Sequence, residues 1–154
     1  MSQPFKLGIV GAGFIARFQA KAMLQVRGVE IAGVVSRTEA SANSFAQMVK
    51  DSGLGECKAF KDVGEMAKHV DAVAIYSPNF TRLEIVEKIV EAVKQGAALK
   101  GLICEKPLAR NVKEARRMVE LVQSVRLPNA YFENQIFMKL IQAQLKQLAP
   151  QQRS

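Results

Sequence analysis

Nowhere does this chain hold the run of about 20 apolar residues that a membrane-crossing helix needs, so no membrane partner is expected. Histidine occurs once, at His69, and cysteine twice, at Cys57 and Cys104. Neither a metal site nor a disulfide between the two thiols is expected from so few. Cys104 lies inside the apolar run LKGLICE (99–105), which suits a buried free thiol and a reducing, cytoplasmic setting. Internal repeats and low-complexity segments are absent. A basic patch interleaved with aromatics is also missing. The formal net charge is +8, yet Lys and Arg are scattered along helical stretches as solvated faces, so no nucleic-acid partner is expected. Lys6 before an apolar stretch and Ala20-Lys21-Ala22 after it imitate a secretory leader and its cleavage site. Gly8, Gly11 and Gly13 interrupt that stretch and Arg17 follows it, which argues against a leader.

What remains is a chain of 154 residues, 49% hydrophobic and 23% charged, the size and balance of one domain with a real core. FKLGIV (5–10), EIAGVVS (30–36), DAVAIYS (71–77) and LKGLICE are short, nearly continuous apolar runs with β-branched residues, as in strands covered on both faces. Helical periods lie between them. In TRLEIVEKIVEAVKQG, Leu83, Ile85, Val86, Ile89, Val90 and Val93 form an apolar stripe, with a capping box at Thr81 and Glu84 and a closing Gly96. NVKEARRMVELVQ has its own box at Asn111 and Glu114, and TEASANSFAQMVKDSG ends at Gly53. CKAF reads as a weaker strand and VGEMAK as a weaker helix. NAYFEN reads as a last strand, and the tail then spaces Phe137, Leu140, Ile141, Leu145 and Leu148 helically. That final stripe needs a partner: this domain's own sheet, another subunit or a further domain. The alternation predicts an α/β fold with a doubly wound parallel sheet.

Three glycines interrupt the start of this pattern. Gly11-Ala12-Gly13-Phe14-Ile15-Ala16 matches G-x-G-x-x-A between a predicted strand and a predicted helix, the context in which the motif binds dinucleotides. Gly11 permits the turn, Gly13 leaves room for a pyrophosphate, Ala16 lets the helix approach the strand, and the helix opening at Phe14 and Ile15 offers unpaired N–H groups. A carboxylate about 20 residues on would hold the ribose hydroxyls of NAD. Ser36-Arg37-Thr38 stands there instead, an arginine and two hydroxyls that suit a 2′-phosphate and favour NADP(H) over NAD(H). The alternative is a solvated Arg37 with Thr38 capping the next helix.

Two further motifs, IYSPNF and CEKPLA, end later strands. With GIVGAGFIA they resemble the N-terminal domain of the glucose-fructose oxidoreductase, inositol dehydrogenase and MocA family, over essentially residues 5 to 135. The resemblance implies a Rossmann fold over 1–135, with 136–154 leading into a second domain that the chain lacks or serving as an oligomerisation helix. It implies that Ser77, Pro78 and Asn79 line the ribose and nicotinamide, that Glu105, Lys106 and Pro107 sit beside the nicotinamide, and that Lys106 reaches the substrate. Lys106 either stabilises an alkoxide or orients the substrate; an ordinary Glu105–Lys106 surface pair is the plainer alternative. Two departures matter. Arg82 stands where family members often carry a histidine, and the family's second domain, source of its usual aspartate and histidine, is absent. His69 is expected to be structural or solvated. The expected function is the nucleotide-binding part of an oxidoreductase acting on a sugar, inositol or related alcohol, binding coenzyme alone but turning over poorly. A non-catalytic NAD(P) sensor is the alternative; an S-adenosylmethionine methyltransferase fits Ser77–Asn79 and Glu105–Pro107 less well.

Overall fold

A computed structural model describes residues 3–148. In chain order the elements are β1 (Phe5–Val10), α1 (Phe14–Ala22), β2 (Val29–Val35), α2 (Glu39–Asp51), β3 (Lys58–Phe60), α3 (Val63–Ala67), β4 (Ala72–Ile75), α4 (Asn79–Lys94), β5 (Gly101–Glu105), α5 (Val112–Ser124), β6 (Asn129–Phe132) and α6 (Lys139–Leu148). All six strands pair in parallel in the order β3-β2-β1-β4-β5-β6. The chain winds outward from β1 to one edge, then returns to β4 and winds to the other. Beyond the ends of β1 and β4 the order reverses, which opens a crevice at the carboxyl edge of the sheet.

Side chains alternate across each strand, so a continuous apolar run feeds two cores. On β4, Ala72 and Ala74 join a layer built with Ala16 and Ala20 of α1 and Phe45 and Val49 of α2. Val73 and Ile75 face the opposite layer, with Val86 and Ile89 of α4 and Met118 and Val122 of α5. Two layers on two faces are what a doubly wound sheet requires.

Two expectations need correction. Thr81 does not cap α4. The helix starts three residues earlier than such a cap would place it, after Pro78 with φ −55°, and the Thr81 hydroxyl donates back to the Pro78 carbonyl at 2.8 Å. Proline supplies the extended φ/ψ of a cap residue without a side-chain acceptor, so the entry is set by the chain and not by a capping box. At α5 half of the expected box forms: Asn111 accepts from the Glu114 N–H at 2.9 Å, but the Glu114 carboxylate turns to Arg110. Strand β6 falls within the NAYFEN run, as expected, and lies at the sheet edge with Tyr131 exposed.

The apolar stripe of α6 does not fold back on this domain's sheet. Leu140 and Leu145 are 68% and 50% exposed and belong to neither core layer. Residues 149–154 and the side chain of Leu148 lie outside the described residues. No described helix is long and apolar enough to cross a membrane.

Candidate coenzyme site

The glycine loop sits at the sheet's switch point. Gly11 has φ +98°, a left-handed conformation that side chains disfavour, and a Cβ there would meet the Ser77 backbone nitrogen at 2.8 Å. Its N–H donates to the Val35 carbonyl at 2.8 Å, tying the loop to the end of β2. Gly11 is therefore fixed by the protein itself. Gly13 is different. Its φ of −78° suits any residue, and a Cβ there would meet nothing within 4 Å. The fold makes no demand for glycine at this position, whereas a group lying against the main chain would.

The helix that follows Gly13 is open in the same sense. Helices α2, α3 and α5 carry side-chain caps from Thr38, Asp62 and Asn111. Helix α1 has none and no acidic residue in its first turn, so its leading N–H groups meet no side-chain acceptor. Bare glycine backbone and an uncapped helix start fit a pyrophosphate. Phe14 is 79% exposed and stacks along the helix on Phe18, with centroids 6.4 Å apart; Ile15 is half-buried.

At the end of β2, Thr38 caps α2 by accepting from the Ser41 N–H at 3.2 Å. The Ser41 hydroxyl, at 2.8 Å from Ser36, donates to it. Both hydroxyls proposed for a phosphate are thus already engaged within the loop. Arg37 is exposed and enters no ion pair among the described residues.

The loops after β4 and β5 stand side by side because Ile75 pairs with Cys104. Ser77 is buried and Pro78 exposed; Asn79 opens α4 and its side-chain amide donates to the Ala109 carbonyl at 3.4 Å. Glu105 is buried, and its carboxylate accepts from the backbone N–H of Lys106, not from the ammonium. The surface-pair alternative is not the geometry found: the Lys106 side chain is exposed and forms no ion pair among the described residues. The peptide between Lys106 and Pro107 is cis.

A residue that motif reading undervalued joins these loops. Arg82, only 4% exposed, donates from Nε to the Ser77 carbonyl at 2.9 Å, from Nη1 to the carbonyls of Glu105 and Pro107, and from Nη2 towards that of Lys106 at 3.5 Å. A signal for it existed. Arg82 precedes Val86 and Ile89 by four and seven residues, which puts a charge on the buried stripe of α4.

Three buried weak acids of the fold are held protonated. Burial, reinforced by Glu105, pushes the Tyr76 phenol up to about 12. Burial pushes Cys57 to about 12 against the pull of Lys50, and raises Cys104 against the pull of Arg82. Both cysteines are free and buried, and neither is an activated nucleophile. His69 lies at the other edge of the sheet, stacked on Phe60 and 3.5 Å from Glu65. No cluster able to hold a metal ion occurs among the described residues.

Strand order and a glycine turn at the sheet's switch point together define a dinucleotide-binding α/β domain. A model of an oxidoreductase family with an NAD-binding Rossmann fold, named for Gfo, Idh and MocA, matches residues 5–144. The chain is 33% identical over 118 residues to glucose-6-phosphate 3-dehydrogenase of Bacillus subtilis (strain 168), covering 77% of this chain and 30% of that protein. It is 26% identical over 122 residues to inositol 2-dehydrogenase of Rhizobium meliloti (strain 1021), covering 79% and 33%. Apo scyllo-inositol dehydrogenase from Lactobacillus casei superposes with a TM-score of 0.74 at 23% identity, over 97% of this chain and 42% of that one. This chain belongs to the Gfo/Idh/MocA oxidoreductase family and comprises its NAD-binding Rossmann domain. It spans about a third of the length of these curated relatives.

Proposed function

We propose that this chain is the coenzyme-binding part of an oxidoreductase that exchanges hydride with a secondary alcohol or carbonyl of a sugar, inositol or related polyol. The observation that carries the reading is the start of α1, uncapped and bare at Gly13, at the sheet's switch point. Its sugar and inositol dehydrogenase relatives support the substrate class. Residues 1–135 form the binding domain in this reading, and 136–154 lead away from it. That assignment is supported by the exposed stripe of α6, which also leaves room for contact with a second copy. Free, buried thiols suit a reducing compartment such as the cytoplasm.

A nicotinamide coenzyme would supply the hydride chemistry; the protein supplies position and charge. Gly11 and Gly13 bring main chain against the pyrophosphate, and the leading amides at Phe14 and Ile15 donate to it. Arg37, exposed beside the glycine loop, meets a 2′-phosphate with a fork of donors, while Ser36 and Thr38 hold the loop's shape. Ser77, Pro78, Asn79 and Glu105 wall the nicotinamide end. Lys106, with its ammonium outside any intramolecular ion pair among the described residues, stabilises negative charge on the substrate oxygen or orients it.

Titration calorimetry tests both levels. NADPH is expected to bind more tightly than NADH, and Arg37→Ala is expected to weaken NADPH by about 10- to 100-fold, the worth of a lost hydrogen bond to a charged group, while sparing NADH. Equal affinity for the two coenzymes would end the NADP(H) preference. Failure of folded protein to bind either would end the whole reading.

A further inference from the structure

Arg82 is a buried cation held by peptide oxygens. None of the ion pairs among the described residues involves it, and its four acceptors are the carbonyls of Ser77, Glu105, Lys106 and Pro107. Three of these are consecutive. The fourth belongs to the neighbouring strand end, so one planar guanidinium spans both loops on the nicotinamide side of the crevice. Such a fork suits several acceptors at fixed angles, which a lysine, a single point of charge, does not reproduce.

The consequence falls on Lys106. Its carbonyl faces the Arg82 fork, its N–H is taken by the Glu105 carboxylate, and both flanking carbonyls are bound by Arg82. The backbone from which its side chain departs is thus held on every hydrogen-bonding group, and only the side chain is free. We infer that Arg82 is a positioning residue: it couples the loop after β4 to the turn after β5 and thereby fixes where Lys106 presents its ammonium to the nicotinamide end of the coenzyme. This rests on the coenzyme reading above and assigns to Arg82 a role that the sequence motifs do not.

A purely structural strut would predict something else. Its removal would lower stability and weaken every ligand alike, through the fraction of chain unfolded. A positioning residue predicts a split. Arg82→Met removes the donors while keeping length, and the affinities of NADPH and of adenosine 2′,5′-bisphosphate, which stops short of the nicotinamide, are measured on the 154-residue chain. NADPH binding is expected to weaken about tenfold and bisphosphate binding to change less than about twofold.

A double-mutant cycle with Lys106→Met adds the second readout. The loss of NADPH affinity caused by Lys106→Met in the parent chain is expected to shrink by about fivefold when Arg82 is already methionine, a coupling typical of residues acting through one another. If Arg82→Met fails to fold, Arg82→Lys, which keeps the buried charge, carries the same measurements. Parallel loss of both ligands, additive effects of the two substitutions, or unfolding of both Arg82 variants would make the residue a strut and overturn the proposal. A parent chain that binds bisphosphate and NADPH while Arg82→Met matches it in both would overturn the positioning role alone. A parent chain that binds neither would remove the coenzyme reading and this inference with it.

Discussion

Two glycines two positions apart have opposite reasons for being there. Gly11 is required by its φ of +98° and by the Ser77 backbone against it, so Gly11→Ala is expected to destabilise the fold by about 2 kcal/mol or more in denaturant unfolding. Gly13 occupies ordinary backbone at the cap of α1 with open space beside it. Gly13→Ser should leave stability unchanged or slightly raised, because serine is a favoured cap, while weakening NADPH about tenfold or more by taking amides a phosphate would use. A matched fall in stability and binding for both variants would contradict the distinction. The glycine motif was readable from sequence because its chemistry is local to six consecutive residues. Arg82 was readable only as a charge on the buried stripe of α4; its role was not, because its acceptors are main-chain oxygens up to 25 positions away, and no residue type at those positions announces them.

Helix entries separate the local signals that held from those that did not. Asn111 and Thr38 act as sequence patterns suggest, each accepting from the N–H three residues on. Thr81 and Glu84 have the same spacing, yet Pro78 starts the helix ahead of them. A capping pattern is a local preference, and an upstream proline with the right φ outranks it. Asn111→Ala is accordingly expected to cost about 1 kcal/mol, as loss of a real cap does. Thr81→Ala, now inside a helix that favours alanine, should cost less than half of that. Chemical denaturation of the two variants distinguishes them, and equal losses would restore Thr81 as a cap. The inner strands were legible because residues buried on both faces leave continuous apolar runs. The exposure of β6 was not, since a strand's place at the edge is decided by pairing order and not by its own four residues.

For the molecule as a whole, the buried weak acids set a limit at high pH. Ordinary values are 9.0 for the thiols and 10.0 for the phenol, whereas the folded chain holds Cys57 and Tyr76 protonated up to about 12 and raises Cys104 as well. Above about pH 9 the unfolded chain therefore binds fewer protons than the folded one, and stability falls as pH rises. Between pH 6 and 8 all three are protonated in both states and contribute no slope. Thermal unfolding followed from pH 8 to 11 should show a falling midpoint. Cys57→Ala should flatten the early part of that fall, and an unchanged slope would refute the assignment. The fold class followed from strand and helix alternation, and the sheet order placed the motifs at one edge. The contacts between loops that complete the site depend on which strands become neighbours.

The cross-tie at Arg82 has a lopsided vulnerability. Every acceptor in it is a main-chain oxygen, present whatever amino acid occupies positions 77, 105 or 106, so drift at those sites leaves the oxygens in place. All of the wiring converges on one donor side chain, and a single codon change there severs four connections at once.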